Sequence, residues 1–177
     1  DLVRSRGLGD VYKRQLQVCT AISAAVNGGY LVTPHVVDKI TDQNGNVVEE
    51  IGANVRRQVI SKSASETIRQ IMEYEVGDGT TTGGGSNAYV AGYRIGGKSG
   101  TSEQLNMERR ADGDYKKVAS FAAVLPANDP EILVYVMLDD PNNASTDYSS
   151  ILAAPVVGNI ISEIAPYLGI ATDGIDR

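Results

Sequence analysis

The segment Tyr93–Gln104, YRIGGKSGTSEQ, combines a lysine with hydroxyl side chains in a pattern that suits anion binding and acyl transfer. Lys98 offers a compact positive charge and Ser99 a hydroxyl donor, and the two together suit a carboxylate. The backbone N–H of Thr101 would point at a carbonyl oxygen as one arm of an oxyanion hole. These residues predict a site that holds a carboxylate beside a polarised carbonyl group.

Glycines flank this lysine and its neighbouring hydroxyl. Gly96 and Gly97 precede Lys98, and Gly100 follows Ser99. Glycines inside a strand mark places where another backbone or a ligand comes close. The lysine–hydroxyl–glycine triplet alone is a weak signal, because a chain of 177 residues holds one by chance with odds on the order of one in ten. The flanking glycines favour a strand built to receive a ligand over a coincidence in an ordinary α+β domain.

The motif falls in the first of three predicted strands, Tyr93–Glu103, Lys117–Leu125 and Glu131–Leu138. The turn Asn128-Asp129-Pro130 links the second strand to the third, and so short a link joins antiparallel neighbours. Further upstream, Asn44-Gly45 between short apolar runs predicts a small β-hairpin with a type I′ turn. The sheet that carries the motif is therefore expected to be antiparallel.

Three helices are predicted around these strands. The first covers Leu16–Val26 and is stopped by Asn27-Gly28-Gly29. The second lies in SKSASETIRQIMEYEVGDG, where Ser63 and Glu66 form a capping box. Its expected apolar stripe consists of Ile68, Ile71, Met72 and Val76.

The third helix begins where Ser149 or Ser150 can cap it. The face expected to cover the sheet consists of Ile160, Ile161, Ile164 and Leu168. The predicted fold class is α+β, an antiparallel sheet of three strands covered by helices.

Composition excludes several function classes. The net charge of -6 argues against nucleic acid as the main partner. With one cysteine, Cys19, and one histidine, His35, the chain cannot form an intrachain disulfide or a metal site of the usual histidine or cysteine type. No cofactor is expected either. The glycine-rich stretch 77–92 does not match a phosphate-binding loop and is predicted to form a flexible loop at the rim of the site. No run of 18 apolar residues is present, so no membrane span is predicted.

The first fifteen residues differ in character from the rest of the chain. SRGLGDVYKRQ, residues 5–15, lacks apolar periodicity and equals a translation of the transposon-end adapter used in sequencing libraries. We therefore predict that residues 1–15 are a sequencing-adapter artefact, the alternative being a natural basic arm.

The neighbours of the motif resemble a known family. The segments AAVNGGYLVTPHVV, NAYVAGYRIGGKSGTSEQ, SFAAVLPANDPEILVYVMLDDP and AAPVVGNIISEI resemble, in order and spacing, the C-terminal half of the transpeptidase domain of class B penicillin-binding proteins. The resemblance extends from Leu16 to Ile170 and is greatest for the cell-division and stage V sporulation protein D-like branch. It implies that residues 16–177 are the C-terminal part of such a domain, with a partial β-lactamase/transpeptidase-like fold.

The resemblance also implies an activity, that of a serine acyltransferase. A serine would attack the D-Ala-D-Ala end of a peptidoglycan stem peptide, and an amine of a second stem peptide would take the acyl group. Lys98 and Ser99 would then hold the terminal carboxylate of the substrate, Gly100 would give clearance, and Thr101 would supply the oxyanion-hole N–H.

The implied partners are peptidoglycan stem peptides, the lipid-linked wall precursor, β-lactam antibiotics and other wall-synthesis proteins. The implied location is the extracytoplasmic face of the bacterial cytoplasmic membrane, with the anchor helix outside this sequence.

The sequence departs from the family pattern in two ways. No S-x-x-K motif followed by a S-x-N motif precedes Lys98, so the nucleophilic serine and its lysine are expected upstream and the chain alone is expected to be inactive. Ala123 stands where the family usually has glycine.

Two other functions stay open from the sequence. A β-lactam sensor or a β-lactamase of the same fold would use the same motif, and the NGGYLVTP and AAPVV segments favour the transpeptidase over both. A non-catalytic wall-binding module would keep the shape without the serine.

Overall fold

A computed structural model describes residues 8–80, 83–141 and 146–173 of the chain. The chain divides into two compact units, Asp1–Glu66 and Thr67–Arg177. The helices and strands follow in the order α1 (Leu8–Val26), β1 (Tyr30–Thr33), β2 (Lys39–Thr41), β3 (Val47–Glu50), β4 (Asn54–Gln58), α2 (Lys62–Val76), a 3-10 helix (Ser86–Ala88), β5 (Gly96–Glu103), β6 (Lys117–Leu125), β7 (Ile132–Asp139), α3 (Ser149–Leu152) and α4 (Ala154–Tyr167).

The first unit begins with a helix longer than predicted. α1 starts at Leu8 rather than Leu16, so it continues through the end of the segment predicted to be an artefact. The predicted start was wrong because lysine, arginine, glutamine and leucine are good helix formers even without an apolar stripe. The predicted stop is confirmed, since Gly28 and Gly29 both have φ of +92°. A Cβ on Gly29 would lie 2.0 Å from the carbonyl oxygen of Ile60, so the chain needs glycine at this turn.

The predicted hairpin is confirmed as the antiparallel pair of β2 and β3. Its turn type was wrong, because a type I′ turn needs positive φ at both central residues and Gly45 has φ of +85° whereas Asn44 does not have positive φ. The Asp42 carboxylate instead accepts the backbone N–H groups of Asn44 and Asn46, which closes a wider loop. A second pair, β1 with β4, was not predicted, since β4 lies more than twenty residues away in sequence and its strand is exposed throughout.

The second unit contains the predicted sheet. Its strand order is β5-β6-β7, and both pairs are antiparallel. β6 is the central strand, and its residues from Phe121 to Leu125 are all buried. β5 starts at Gly96 rather than Tyr93, because the Tyr93 N–H donates to Val90 O within a turn. The α+β fold class is confirmed.

Helix α2 is confirmed with a different cap and a narrower buried face. Its N-terminus is capped by Ser61, whose hydroxyl accepts the Ala64 N–H at 3.1 Å, and not by the predicted Ser63. Of the predicted stripe Met72 and Val76 are buried, but Ile71 is 63% exposed.

The C-terminal helical segment differs from prediction in its start and its face. α3 begins at Ser149 after Tyr148, and neither predicted serine caps it by a side-chain hydrogen bond. The buried residues of α4 are Ala154, Val157, Gly158, Ile161 and Ala165, so of the predicted face only Ile161 is buried. Gly158 lets the helix lie close to the 3-10 helix, since a Cβ there would be 3.4 Å from the backbone of Ala88, and Ile160 and Ile164 are only half-buried.

This face makes α4 a core helix. Val157, Ile161 and Ala165 pack in one buried cluster with Phe121 and Leu125 of β6. Among the described residues Ser149–Tyr167 is also the segment long and apolar enough to cross a membrane by length and composition. A helix buried in a protein core meets the same criterion, and the packing of α4 on the sheet accounts for its composition.

Two glycines allow α2 to pack directly on the start of β5. A Cβ on Gly96 would lie 3.1 Å from Met72 Cβ, and one on Gly97 would lie 2.8 Å from Val76 Cγ2 and 2.6 Å from Phe121 Cζ. Both distances at Gly97 are shorter than real Cβ contacts, so a larger residue would push α2 or β6 away.

We therefore expect Gly97→Ala to lower the free energy of unfolding by about 1–3 kcal/mol, the cost of overpacking a filled core. Urea denaturation of the chain followed by circular dichroism measures it. Gly52→Ala is the control, because a Cβ on Gly52 meets no atom within 4 Å. A Gly97→Ala midpoint equal to that of the wild type would show that the contact is not tight.

Candidate active site

The predicted lysine lies on the surface at the edge strand of the sheet. Lys98 is exposed, and its Nζ donates to the carbonyl oxygen of the next residue, Ser99, at 2.6 Å. Among the residues that the structure describes, no carboxylate lies within ion-pair distance of Lys98. An ammonium group has three donors, so Lys98 has donors left for an anionic ligand.

The four motif residues divide between the two faces of β5. In a strand neighbouring side chains point to opposite faces, so Ser99 and Thr101 share one face and Lys98 belongs to the other. Within the described chain β5 pairs with β6 alone, which leaves its other edge without a strand partner. Lys98 and Ser99 therefore lie on opposite faces, and a single ligand can contact both of them only if it lies at this open edge. An extended peptide could lie along the edge.

The glycine-rich loop lies close to Ser99. A Cβ on Gly84 would be 3.8 Å from Ser99 Oγ and 2.8 Å from Glu75 Oε1. This agrees with the prediction that the loop forms a rim, although residues 81–82 of it lie outside the described chain. It also places the half-buried Glu75 carboxylate near the motif, a neighbour that the sequence did not indicate.

The Thr101 hydroxyl is held by the start of α3. It donates to Ser149 Oγ at 3.1 Å and accepts the Ser149 backbone N–H at 3.3 Å. Ser149 is 3% exposed and Thr101 is exposed, so the contact joins the motif to a buried anchor. From the sequence Ser149 is only a possible helix cap, because a contact across 48 positions leaves no local pattern.

A cluster of charges fixes the chain just before α3. The Arg110 guanidinium contacts Asp140 Oδ1 at 2.7 Å and Asp147 Oδ2 at 2.8 Å. Lys117 Nζ lies 3.3 Å from the same Asp147 oxygen, and Lys116 Nζ lies 3.9 Å from Asp140 Oδ2. Arg110 belongs to the loop between β5 and β6, so this cluster ties that loop to the segment that leads into α3.

The charges in this cluster shift one another's protonation. The hydrogen bond from Arg110 has the largest effect and lowers the pKa of Asp147 below its usual value; burial opposes it, and the hydrogen bond from Lys117 adds a further lowering. Hydrogen bonds to Asp147 and then to Asp140 raise the pKa of Arg110. The other carboxylate oxygen of Asp147, Oδ1, is buried and has no hydrogen-bond partner among the described residues.

The site thus contains an exposed ammonium, two hydroxyl side chains and an open strand edge. Such a set can bind a carboxylate and present backbone N–H groups to a carbonyl oxygen. The described side chains include no group of three or more His, Cys, Asp or Glu that could hold a metal ion. The geometry brings Lys98, Ser99, Gly100 and Thr101 together on one strand, and adds Ser149 and Glu75 as neighbours.

Comparison with known proteins defines the class of this chain. The sequence profile of the penicillin binding protein transpeptidase domain matches residues 5–162. The chain therefore belongs to the penicillin-binding protein transpeptidase family.

Individual relatives agree with this assignment. The chain is 38% identical over 162 residues to stage V sporulation protein D of Bacillus subtilis, covering 88% of this chain and 23% of that protein. It is 30% identical to the peptidoglycan D,D-transpeptidase FtsI homolog of Mesostigma viride, covering 85% of this chain and 25% of that protein. The chain thus spans about a quarter of the length of these relatives.

Solved structures show the same fold. Penicillin binding protein 3 of Mycobacterium tuberculosis, crystallised with ampicillin, is 26% identical with a TM-score of 0.69, over 91% of this chain and 37% of that one. The transpeptidase domain of penicillin-binding protein 3 from Burkholderia pseudomallei is 25% identical with a TM-score of 0.67, over 90% of this chain and 44% of that one.

The charge cluster predicts a pH dependence of stability. A carboxylate whose pKa is lowered on folding stabilises the protein fully above its unfolded pKa, and the contribution is lost as pH falls through the folded value. Asp147→Asn should therefore lower the melting temperature near pH 7 by an amount on the order of a few °C. The difference from wild type should shrink as the pH falls below the ordinary aspartate pKa of about 3.9 and towards the lower pKa of the folded Asp147 carboxyl, because protonation then removes the same charge from the wild type.

Thermal melts of both chains across this pH range provide the measurement. Asp129→Asn, at an exposed turn position, is the matched control and should leave the curve unchanged. If Asp147→Asn were equally destabilising at pH 3 and pH 7, the ionised form would not be what stabilises the fold.

Proposed function

We propose that residues 16–177 form the C-terminal part of the transpeptidase domain of a serine-type D-Ala-D-Ala transpeptidase, and that residues 1–15 are a sequencing artefact. The observation that carries this proposal is the exposed Lys98 ammonium, without a carboxylate partner in the described chain, beside an open strand edge in a member of this family. A cation in that position is matched to a ligand that ends in a carboxylate.

In this proposal the substrate is a stem peptide that lies along β5. Lys98 binds the carboxylate of the terminal D-Ala, and Ser99 donates a hydrogen bond to the same group. Gly100 has no side chain, so the peptide backbone can approach. The Thr101 N–H donates to the carbonyl oxygen of the scissile bond, where negative charge develops.

The chemistry is an acyl transfer in two steps. A serine hydroxyl attacks the carbonyl carbon of the penultimate D-Ala, and the bond to the terminal D-Ala nitrogen breaks as that nitrogen takes a proton. An amine of a second stem peptide then attacks the serine ester and releases the serine. The serine and its lysine belong to a S-x-x-K motif that this sequence does not contain, so this chain alone is inactive.

The partners follow from the same chemistry. The site takes peptidoglycan stem peptides, the lipid-linked wall precursor and β-lactam antibiotics, and it works beside other wall-synthesis proteins. It uses no cofactor, metal or nucleic acid. Its place is the extracytoplasmic face of the bacterial cytoplasmic membrane, where peptidoglycan is assembled.

The proposal predicts the behaviour of the full-length protein towards a fluorescent penicillin. The wild type should form a covalent adduct that survives denaturing electrophoresis. Lys98→Ala should slow acylation by more than about tenfold, because the β-lactam carboxylate loses the cation that holds it in place during the reaction. The 177-residue chain should give no adduct.

Lys39→Ala is the control for Lys98→Ala, since Lys39 is an exposed lysine outside the motif. Unchanged labelling of Lys98→Ala would remove this lysine from the mechanism. Rapid loss of the label by hydrolysis would identify a β-lactamase, and absence of label from the wild type would identify a non-catalytic module.

A further inference from the structure

The contact between Thr101 and Ser149 is the one place where the motif strand is fixed by a hydroxyl pair to another element in the described chain. The Thr101 hydroxyl both donates to Ser149 Oγ and accepts from Ser149 N, so two hydrogen bonds fix its direction. Because its donor and one of its acceptor positions are both used by Ser149, the hydroxyl restricts Thr101 to one χ1 rotamer. The backbone amide of the same residue is the proposed oxyanion-hole donor.

The buried end of this contact is itself held in place. Ser149 follows Asp147 by two residues, and Asp147 is bound by Arg110 and Lys117. The Asp147 side chain is 15% exposed, so its ion pairs are partly shielded from water. On the other side Ser149 begins α3, and its carbonyl oxygen accepts the Ala153 N–H at 2.8 Å.

Small displacements matter at such a position. Oxyanion-hole donors act at 2.7–3.1 Å from the developing charge, and a misplacement of about 1 Å can reduce a rate by roughly a hundredfold. Gly97 is packed tightly, but Gly100 lies next to Thr101 in an edge strand, and glycine itself constrains the backbone little. A second attachment point beyond Gly100 would limit that freedom.

We propose that Ser149 is a positioning residue for acyl transfer: it holds the Thr101 hydroxyl and thereby fixes the direction of the Thr101 N–H towards the reacting carbonyl oxygen. This inference rests on the proposed function. Ser149 does not touch the substrate, and its effect passes through Thr101. Ser149 is in turn held by the Arg110–Asp147 ion pair, which fixes the chain two residues before it.

The test is a double-mutant cycle on the full-length protein with a fluorescent penicillin. Ser149→Ala removes the hydroxyl and keeps the backbone, whereas Thr101→Val removes the other hydroxyl and keeps the amide. Stopped-flow labelling gives the limiting acylation rate constant and the half-saturating concentration separately. Melting temperatures of all variants are measured in parallel.

Ser149→Ala should lower the limiting rate constant roughly tenfold and leave the half-saturating concentration within about twofold, since only the transition-state contact is lost. Thr101→Val should have a similar effect, and the double variant should be hardly slower than either single one, because both break the same contact. Ser150→Ala is the matched control: Ser150 is half-buried beside Ser149, and its carbonyl oxygen, which the substitution keeps, accepts from Asn87.

The outcomes separate this inference from the function on which it rests. A labelled wild type with an equally fast Ser149→Ala variant, or with fully additive single effects, overturns the positioning role alone. A wild type that takes no label overturns the proposed function and this inference with it. If Ser149→Ala fails to fold, Thr101→Val tests the contact from its exposed end, and a normal rate there overturns the proposal.

Discussion

The absence of side chains at Gly96 and Gly97 is the constraint on which the rest of the second unit depends. Helix α2 reaches the start of β5 with Met72 and Val76, and Phe121 of β6 fills the remaining space at Gly97. All three of these side chains are buried. Directly after Gly97, β5 carries the exposed Lys98 and the half-buried Ser99. The close packing at the glycines therefore sets the direction in which the motif leaves the core.

Beyond the motif, the strand depends on polar rather than apolar contacts. Thr101, in the exposed half of β5, is attached to Ser149 at the start of α3 by two hydrogen bonds. The loop that follows β5 is attached to the same region by Arg110 through Asp140 and Asp147. These ion pairs are partly exposed to water, which screens some of their attraction, and one guanidinium contacts both carboxylates. The strand that would hold a ligand is thus fixed by close apolar packing at its start and by hydrogen bonds and ion pairs at its end.

The parts of the fold that the sequence predicted are those that local patterns determine. β6 is a mostly apolar run, interrupted by Ser120, next to a short turn, so its bounds and antiparallel pairing could be predicted. The face of α4 could not be predicted, because large apolar residues are the usual sign of a buried face, whereas the buried residues Ala154, Gly158 and Ala165 are small. The cap of α2 was misplaced by two residues since Ser61 and Ser63 are equally good caps by sequence. For the site, the motif residues on one strand were predictable from their adjacency, whereas Ser149, Glu75 and the Arg110 cluster depend on contacts between distant positions.

A crystal structure of the full-length protein acylated by a β-lactam tests the central claim most directly, namely that β5 presents an anion-binding shelf with an amide aimed at the reacting carbonyl. The account predicts the ligand carboxylate against Lys98 Nζ, and the acyl carbonyl oxygen at about 2.7–3.1 Å from the Thr101 nitrogen. A carboxylate bound away from β5, or a Thr101 N–H engaged with β6 while the carbonyl oxygen lies elsewhere, would contradict it.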